Sequence, residues 1–219
     1  MWMPVLVSAI LVLMSCVQDR QIDENSASPE WISIEGNSFV NESGETVVFQ
    51  GVNIRDPHNL EEEGHWTRSH FREASAWGAS VIRLPVHPPS WRTRGEEGYL
   101  ALIDQAVEWA RELELYLILD WHSIGNLKME RFQHEMYITS IEETTSFWNT
   151  VSKHYADEPV VLMYELYNEP TISGENFGTM SWEEWKSINE DLIRVITVSY
   201  THLTLPTTGS LCRYRWWPS

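Results

Sequence analysis

The chain has 219 residues and a formal net charge of −17, with 32 acidic and 15 basic side chains. Because nucleic-acid binding needs clustered Lys and Arg to meet the phosphates, this charge excludes a nucleic-acid partner. Twelve tryptophans are an excess for this length, and aromatic rings pack in cores but also stack on the apolar faces of sugars. The composition therefore favours a globular protein whose ligand is neutral, such as a sugar.

The N-terminal segment indicates export. Residues 1–15 are apolar and uncharged, with the length of a signal peptide and too short an apolar run to span a bilayer. The sequence Leu13-Met14-Ser15-Cys16 resembles the lipobox of bacterial lipoproteins, which implies lipidation of Cys16; the alternative is an ordinary cleaved signal peptide with an incidental cysteine. We expect a protein anchored by lipid at the bacterial cell surface or in the periplasm, or otherwise secreted, with residues 16–30 as a flexible tether.

The main part of the chain begins with a strand pattern and then alternates between strand and helix signals. Residues 31–50 alternate between apolar and polar side chains around a turn sequence at 41–44, which predicts a β-hairpin. Four short apolar runs follow, separated by helical patterns, and such runs are typical of buried parallel strands. The four runs span residues 51–54, 80–84, 115–121 and 160–167.

Helix starts are also legible in the sequence. In a capping box, a hydroxyl and a carboxylate three residues apart satisfy free backbone N–H groups at a helix N-terminus. This pattern predicts helix starts at Thr139 with Glu142 and at Ser181 with Glu184. With the helix predicted over residues 67–77, these signals indicate successive βα units.

Two α/β architectures fit about four βα units: half of a TIM (β/α)₈ barrel preceded by the hairpin, or a small doubly wound sheet. The glycine-rich phosphate loop that often marks the doubly wound sheet is missing. Polar residues lie at the C-terminal ends of successive strands, namely Arg83, His122 and the pair Asn168-Glu169. Active sites of barrels are built at the C-terminal ends of the strands, so this placement favours the partial barrel.

Four motifs in order resemble glycoside hydrolase family five, the cellulase-like retaining hydrolases. The resemblance covers residues 31–196. Its motifs are Gly51-Val52-Asn53-Ile54, Val81-Ile82-Arg83-Leu84-Pro85, Leu119-Asp120-Trp121-His122 and Tyr164-Glu165-Leu166-Tyr167-Asn168-Glu169-Pro170. The resemblance implies a hydrolase of O-glycosyl bonds in a β-linked polysaccharide, without a cofactor.

The resemblance also implies roles for four residues. Glu169 is the general acid/base, Asn168 binds the sugar 2-hydroxyl, Arg83 keeps a nucleophilic carboxylate ionised, and His122 lines the cleft. Each residue taken alone also fits a purely structural role: Asn168 as a turn cap, Glu169 as a surface carboxylate, Arg83 in a buried ion pair and His122 in the core.

Further side chains in the loops after these strands are candidates for binding sugar by stacking or hydrogen bonding. The candidates are Trp66, Trp91, Tyr137, Trp182, His58 and His87. No group of His, Asp or Glu has the spacing of metal ligands, so no metal site is predicted.

A retaining hydrolase needs a second carboxylate about 5–5.5 Å from the first, and the resembled family supplies it from the seventh strand. Glu165 lies four residues from Glu169, which is about 13 Å along a strand, so we expect it instead to be hydrogen-bonded or ion-paired inside the barrel. Residues 31–197 are thus predicted to be the N-terminal half of a hydrolase barrel. Residues 198–219 resemble a translated sequencing adapter and predict a non-native tail, with a natural extension as the alternative.

These inferences lead to one leading hypothesis and two rivals. The leading hypothesis is an endo-β-glucanase or cellulase-like enzyme whose half-barrel fragment is unstable and inactive, because open sheet edges and a missing nucleophile remain. The first rival is a surface glycan-binding lipoprotein on an inactive barrel. The second is a small doubly wound binding protein, which the missing phosphate loop disfavours.

Overall fold

A computed structural model of the chain describes residues 29–171 and 176–199. The predicted signal peptide, the proposed lipidation site Cys16 and the sequence from residue 200 onward lie outside these ranges. The last two residues of the predicted tether are described and contact the folded region. Pro29 is buried, and the carbonyl of Glu30 accepts a hydrogen bond of 3.0 Å from the Tyr116 hydroxyl.

Strands of the described residues form three sheets. In chain order they are β1 (Ser33–Glu35), β2 (Ser38–Val40), β3 (Thr46–Val47), β4 (Gly51–Asn53), β5 (Val81–Val86), β6 (Tyr116–Trp121), β7 (Ile124–Asn126), β8 (Arg131–Phe132), β9 (Val161–Glu165) and β10 (Glu169–Pro170). The helices are α1 (Pro57–Glu62), α2 (Arg68–Ala76), α3 (Pro88–Arg94), α4 (Glu96–Glu112), α5 (Ile141–His154) and α6 (Trp182–Ser199), with a 3₁₀ turn at Glu135–Tyr137.

The N-terminal sheet contains the predicted hairpin and one further strand. Strands β1, β2 and β3 pair antiparallel in that order, and the predicted turn at residues 41–44 connects β2 to β3. Its first residue, Asn41, stabilises the turn because its side-chain oxygen accepts a hydrogen bond from the Glu45 amide at 2.8 Å. A second turn at Gly36, with φ of 64°, was not predicted.

The central sheet consists of four parallel strands in the order β4-β5-β6-β9. These strands overlap the four apolar runs, which confirms the predicted α/β arrangement. Ile82 and Leu84 of β5 and Leu117 and Leu119 of β6 are fully buried, so one face of each middle strand is completely covered. The described strands form an open sheet rather than a closed barrel.

Helices cover the sheet with a core rich in aromatic side chains. Trp121 at the end of β6 stacks on Phe147 of α5, with ring centroids 4.1 Å apart. The indole N–H of Trp121 donates to the Thr144 hydroxyl at 3.0 Å, so its one polar group is satisfied inside the core. Fully burying a side chain of this class contributes about 2 kcal/mol to folding. This packing anchors α5 against the strand that leads into the candidate site.

One predicted helix start is wrong by one residue and the other is confirmed. The first residue of the α5 cap is Ser140, not Thr139, because the Ser140 hydroxyl accepts a 3.0 Å hydrogen bond from the Glu143 amide. The Thr139 hydroxyl instead donates to the Glu143 carboxylate at 2.9 Å. At α6 the Ser181–Glu184 capping box forms with both reciprocal hydrogen bonds, of 3.2 and 2.9 Å.

The third sheet lies beyond the C-terminal ends of the central strands. It has the order β10-β7-β8, in which β7 and β8 form a hairpin and β10 pairs parallel to β7. The register places Glu169 opposite Ile124 and Pro170 opposite Gly125. This strand pairing joins two segments that are about 45 residues apart in the sequence. Among the described residues, no helix is long and apolar enough to cross a membrane.

Candidate active site

Arg83, in strand β5 of the central sheet, lies at the centre of a network of polar side chains. It is the third residue of β5, which continues to Val86, so the prediction that it stands at the strand end is wrong. Its Nε and Nη2 atoms donate to both carboxylate oxygens of Glu165 at 2.6 and 2.8 Å. This planar, two-pronged ion pair is the geometry that only a guanidinium offers. The expectation that Glu165 is paired is confirmed.

The same guanidinium reaches three further side chains. Nη1 donates to Asn53 Oδ1 at 2.9 Å, and Nη2 donates to Asn168 Oδ1 at 2.7 Å. Nη2 also lies 2.9 Å from Asp120 Oδ2. The pKa of Arg83 is raised above its ordinary value, mainly by the hydrogen bonds to Glu165. Arg83 therefore ties side chains from β4, β6 and β9 and the segment after β9 into one rigid group.

Asp120 connects Arg83 to His122, and its role was not predicted from the sequence. The carboxylate is fully buried, and its Oδ2 atom contacts Nη2 of Arg83 and hydrogen-bonds Nδ1 of His122. Burial raises the pKa of Asp120, while the hydrogen bond to His122 opposes that shift. With Nδ1 held by a carboxylate, the ring orientation of His122 is fixed and Nε2 can meet a ligand. The Leu119–His122 motif contained the signal, a carboxylate two residues before the histidine.

The side chains of the neighbouring residues Asn168 and Glu169 have different environments. The Asn168 amide donates to the Trp121 carbonyl at 3.2 Å, and its side chain is held by Arg83. The Glu169 amide donates to the Ser123 carbonyl at 3.1 Å, whereas the Glu169 side chain is exposed. The negative charge of Glu169 is close enough to contribute to the raised pKa of Arg83. The structure therefore brings Arg83, His122, Asn168 and Glu169 together, as predicted.

Three rings form a cluster beside this network. The centroids of His87 and His122 lie 5.0 Å apart, and Tyr137 lies 5.9 Å from His87 and 6.1 Å from His122. Burial lowers the pKa of His87, so its neutral form is favoured. Two of the candidate sugar-binding residues, His87 and Tyr137, are thus adjacent to His122, but His87 is buried at 9% exposure whereas Tyr137 is partly exposed.

Asp56 binds the backbone of His87 in this cluster, and this role was not predicted from the sequence. It is buried at the start of α1, where its Oδ1 atom accepts hydrogen bonds from the amides of His58 and Asn59 at 2.8 and 3.2 Å. Its Oδ2 atom accepts from the His87 amide at 2.7 Å and from the Tyr99 hydroxyl at 2.9 Å. The Asp-Pro pair before a helical pattern was the available signal for this helix cap.

Two predicted sugar-stacking residues belong to the core instead. Trp66 and Trp91 are only 9% and 5% exposed. The indole N–H of Trp66 donates to Gln105 at 2.8 Å, and Trp91 packs edge-on against Phe147 with centroids 4.9 Å apart. Their faces are covered by the helices, so the prediction that they bind sugar is wrong.

The remaining candidates differ in position. Trp182, at the first turn of α6, is 52% exposed and keeps a free surface. His58 is partly buried, and its Nε2 atom lies 3.5 Å from the Glu62 carboxylate one turn along α1. Across residues 29–171 and 176–199, no group of three or more His, Cys, Asp or Glu is placed to hold a metal ion.

Comparison with solved structures agrees with this fold. A β-glucanase from Saccharophagus degradans, solved in its native form and with cellotetraose, is 47% identical with a TM-score of 0.78, over 81% of this chain and 53% of that one. The catalytic domain of an endoglucanase from Thermobifida fusca is 22% identical with a TM-score of 0.60, over 78% of this chain and 51% of that one. The shared fold is of the TIM-barrel α/β type.

Sequence comparison points to the same group of proteins. Endoglucanase A of Butyrivibrio fibrisolvens is 23% identical over 173 residues, which are 75% of this chain and 36% of that protein. The chain thus spans about a third of this curated relative and about half of the similar solved chains. The family model described as cellulase, glycosyl hydrolase family 5, matches residues 40–201. With most of its length matched, the chain belongs to glycosyl hydrolase family 5, the cellulase family.

Proposed function

We propose that the protein hydrolyses the internal β-linkages of a glucan by a retaining mechanism, with Glu169 as the general acid/base. The observation that carries this proposal is the position of Glu169: its backbone is fixed by β7 while its carboxyl is exposed beside the Arg83 network. The similarity to a β-glucanase solved with cellotetraose supports a glucan as the substrate.

Glu169, Asn168 and His122 each have a role in this mechanism. Glu169 protonates the glycosidic oxygen that leaves and then deprotonates the water that attacks the glycosyl intermediate. The Oδ1 atom of Asn168 is held by Arg83 at 2.7 Å, which turns its side-chain N–H₂ group into the donor available to a sugar hydroxyl. His122, oriented by Asp120, contributes a second polar contact to the sugar.

The nucleophile is the part of the mechanism that we do not assign to a described residue. Glu165 lies four residues before Glu169, about 13 Å along an extended strand, whereas a retaining pair needs carboxylates about 5–5.5 Å apart. We propose that a carboxylate from outside the described residues fills the role beside Arg83, and that the 219-residue chain by itself turns over no glycan. The full-length gene product is then the active form.

A second candidate function is glycan binding at the cell surface without hydrolysis. It would use the exposed ring of Trp182 and the cluster of His87, His122 and Tyr137. Export and lipidation at Cys16 belong equally to both proposals. Binding needs stacking and hydroxyl contacts but no positioned acid, so the fixed backbone of Glu169 favours the enzyme.

Replacement of Glu169 by Gln in the full-length gene product separates the two functions. For the enzyme we expect the turnover of soluble β-glucan to fall by about 10³-fold, because a general acid/base contributes on the order of 10²–10⁴. The dissociation constant for cellotetraose, measured by calorimetry, should change less than about threefold, since one polar atom is exchanged for another of the same shape.

The matched control is Glu190→Gln, an exposed carboxylate on α6 that pairs with Lys186. It should leave both turnover and affinity unchanged. A wild-type protein that binds cellotetraose but hydrolyses no β-glucan would overturn the enzyme proposal and support the binding protein.

A further inference from the structure

Ser123 is a fully buried polar residue directly after His122, and its contacts reach both sides of the site. Its carbonyl accepts the hydrogen bond from the Glu169 amide at 3.1 Å. Its hydroxyl donates to the Tyr137 carbonyl at 2.6 Å and lies 2.9 Å from the Tyr167 hydroxyl. Ser123 therefore contacts the segment that carries Glu169 through its carbonyl and the loop that carries Tyr137 through its hydroxyl.

The backbone contact belongs to a short ladder. Beyond the Ser123–Glu169 bond, the Thr171 amide donates to the Gly125 carbonyl at 2.9 Å, in the parallel pairing of β10 with β7. Besides this edge, the segment that carries Glu169 is held by the bond from the Asn168 amide to the Trp121 carbonyl and by the bond from Arg83 to the Asn168 side chain. A shift of Ser123 is transmitted directly to the backbone of Glu169.

The hydrogen bond of the Ser123 hydroxyl fixes the loop that carries Tyr137. The Tyr137 carbonyl, bound by the Ser123 hydroxyl, belongs to the residue whose ring lies 6.1 Å from His122. The Tyr167 hydroxyl also lies 3.3 Å from the Gly125 carbonyl. Burial raises the pKa of Tyr167 to about 12, so this hydroxyl is neutral throughout the ordinary pH range.

We propose that Ser123 is a positioning residue that sets the carboxyl of Glu169 relative to the sugar held by the ring cluster. This inference rests on the proposed function and deepens it. Without the hydroxyl, the Tyr137 carbonyl loses its buried donor and the loop between β6 and α5 can shift. A displacement of about 1 Å in a positioned catalytic group can cost on the order of 10²-fold in rate.

The test compares Ser123→Ala with Ser152→Ala in the full-length gene product. Ser152 is also fully buried, but its hydroxyl has no hydrogen-bond partner among the described residues and it lies on α5. Two substrates are used: cellotetraose, with a poor leaving group, and a dinitrophenyl β-cellobioside, whose leaving group departs without protonation. The kcat/KM ratio between them reports whether the acid is in place.

For Ser123→Ala we expect kcat/KM on cellotetraose to fall by about tenfold or more, with the aryl cellobioside changed less than about threefold. Ser152→Ala should match the wild type on both substrates. Ser123→Thr, which keeps the hydroxyl, should restore the wild-type ratio. Equal losses on the two substrates, or a wild-type ratio in Ser123→Ala, would overturn the positioning role.

Amide hydrogen exchange tests the same inference without turnover. In the full-length gene product, Ser123→Ala should speed exchange at the Glu169 amide by about tenfold, and Ser152→Ala should not. An unchanged rate at Glu169 in Ser123→Ala contradicts the positioning role whether or not the protein hydrolyses glucan. If the wild type hydrolyses neither substrate, the proposed function fails, while the exchange data still decide the role of Ser123.

Discussion

At the scale of single residues, the site depends on one planar side chain with several partners. Arg83 binds Glu165, Asn168, Asn53 and Asp120 simultaneously, at distances of 2.6–2.9 Å. A guanidinium can do this because its five N–H donors lie in a fixed plane, whereas an ammonium group has three donors at one point.

Arg83→Lys should therefore lower kcat/KM on β-glucan by about 10²-fold in the full-length gene product, because Asn168 and Glu165 lose their common donor. Steady-state kinetics check this expectation. The matched control is Arg92→Lys, in which an exposed arginine pairs with Glu143 on the surface. The control should retain activity within about twofold, since exposed ion pairs contribute about 0–1 kcal/mol. Equal activities of the two variants would contradict the central role of Arg83.

The residue scale also shows which site residues sequence reasoning could find. Arg83, His122, Asn168 and Glu169 were found because polar side chains stood out against apolar strand patterns. Asp120 was missed as a functional group although it stands two residues before His122, and only the fold shows that its carboxylate is buried between Arg83 and His122.

At the scale of elements, the small sheet of β10, β7 and β8 holds Glu169, the proposed acid/base residue. Gly125 makes this sheet possible, since a Cβ atom there would lie 2.4 Å from the Arg131 carbonyl oxygen and 2.7 Å from the Phe132 Cα atom. Both atoms belong to the paired backbone of β8, which cannot give way without breaking the hairpin.

Gly125→Ala should destabilise the protein by about 2 kcal/mol, because overpacking of this kind costs roughly 1–3 kcal/mol. Urea denaturation measures the change. Gly64→Ala is the matched control: its φ of 74° is also positive, but a Cβ atom meets nothing within 4 Å. Gly64→Ala should lower the stability only through the backbone strain of a positive φ, by about 1 kcal/mol. A smaller loss in Gly125→Ala than in Gly64→Ala would show that β8 is not held close to β7.

At the scale of the whole molecule, the buried tyrosines of the core make the stability of the protein decrease at high pH. Burial raises the pKa of Tyr99, Tyr155 and Tyr167, the last to about 12. In the unfolded chain these phenols ionise near pH 10, so only the unfolded state loses protons just above that pH. The stability is therefore fully present below pH 10 and decreases as the pH rises towards the folded values.

Tyr167→Phe should reduce this alkaline loss. Between pH 9 and pH 11, the free energy of unfolding of the wild type should fall by about 1 kcal/mol more than that of the variant. Urea unfolding at the two pH values gives this difference directly, independent of any constant cost of removing the hydroxyl. Equal losses in the two proteins would mean that the folded pKa of Tyr167 is not raised.

The sequence by itself determined the alternation of strands and helices and the capping box at Ser181, and it proposed four polar residues for the candidate site. These features follow from local rules: the period of apolar residues, the chemistry of helix ends, and polar side chains beside buried strands. The family membership follows from the same short motifs in order.

Only the tertiary structure decided which of these side chains meet and which are covered. Trp66 and Trp91 look like sugar platforms in a sequence, yet helices that are distant along the chain bury them. The pairing of Glu169 with Ile124 and the shared contacts of Ser123 likewise join segments that no local pattern connects. Burial and long-range pairing depend on neighbours brought in by the whole fold, and for that reason the sequence could propose Glu169 as the acid/base residue but could not show what holds it in place.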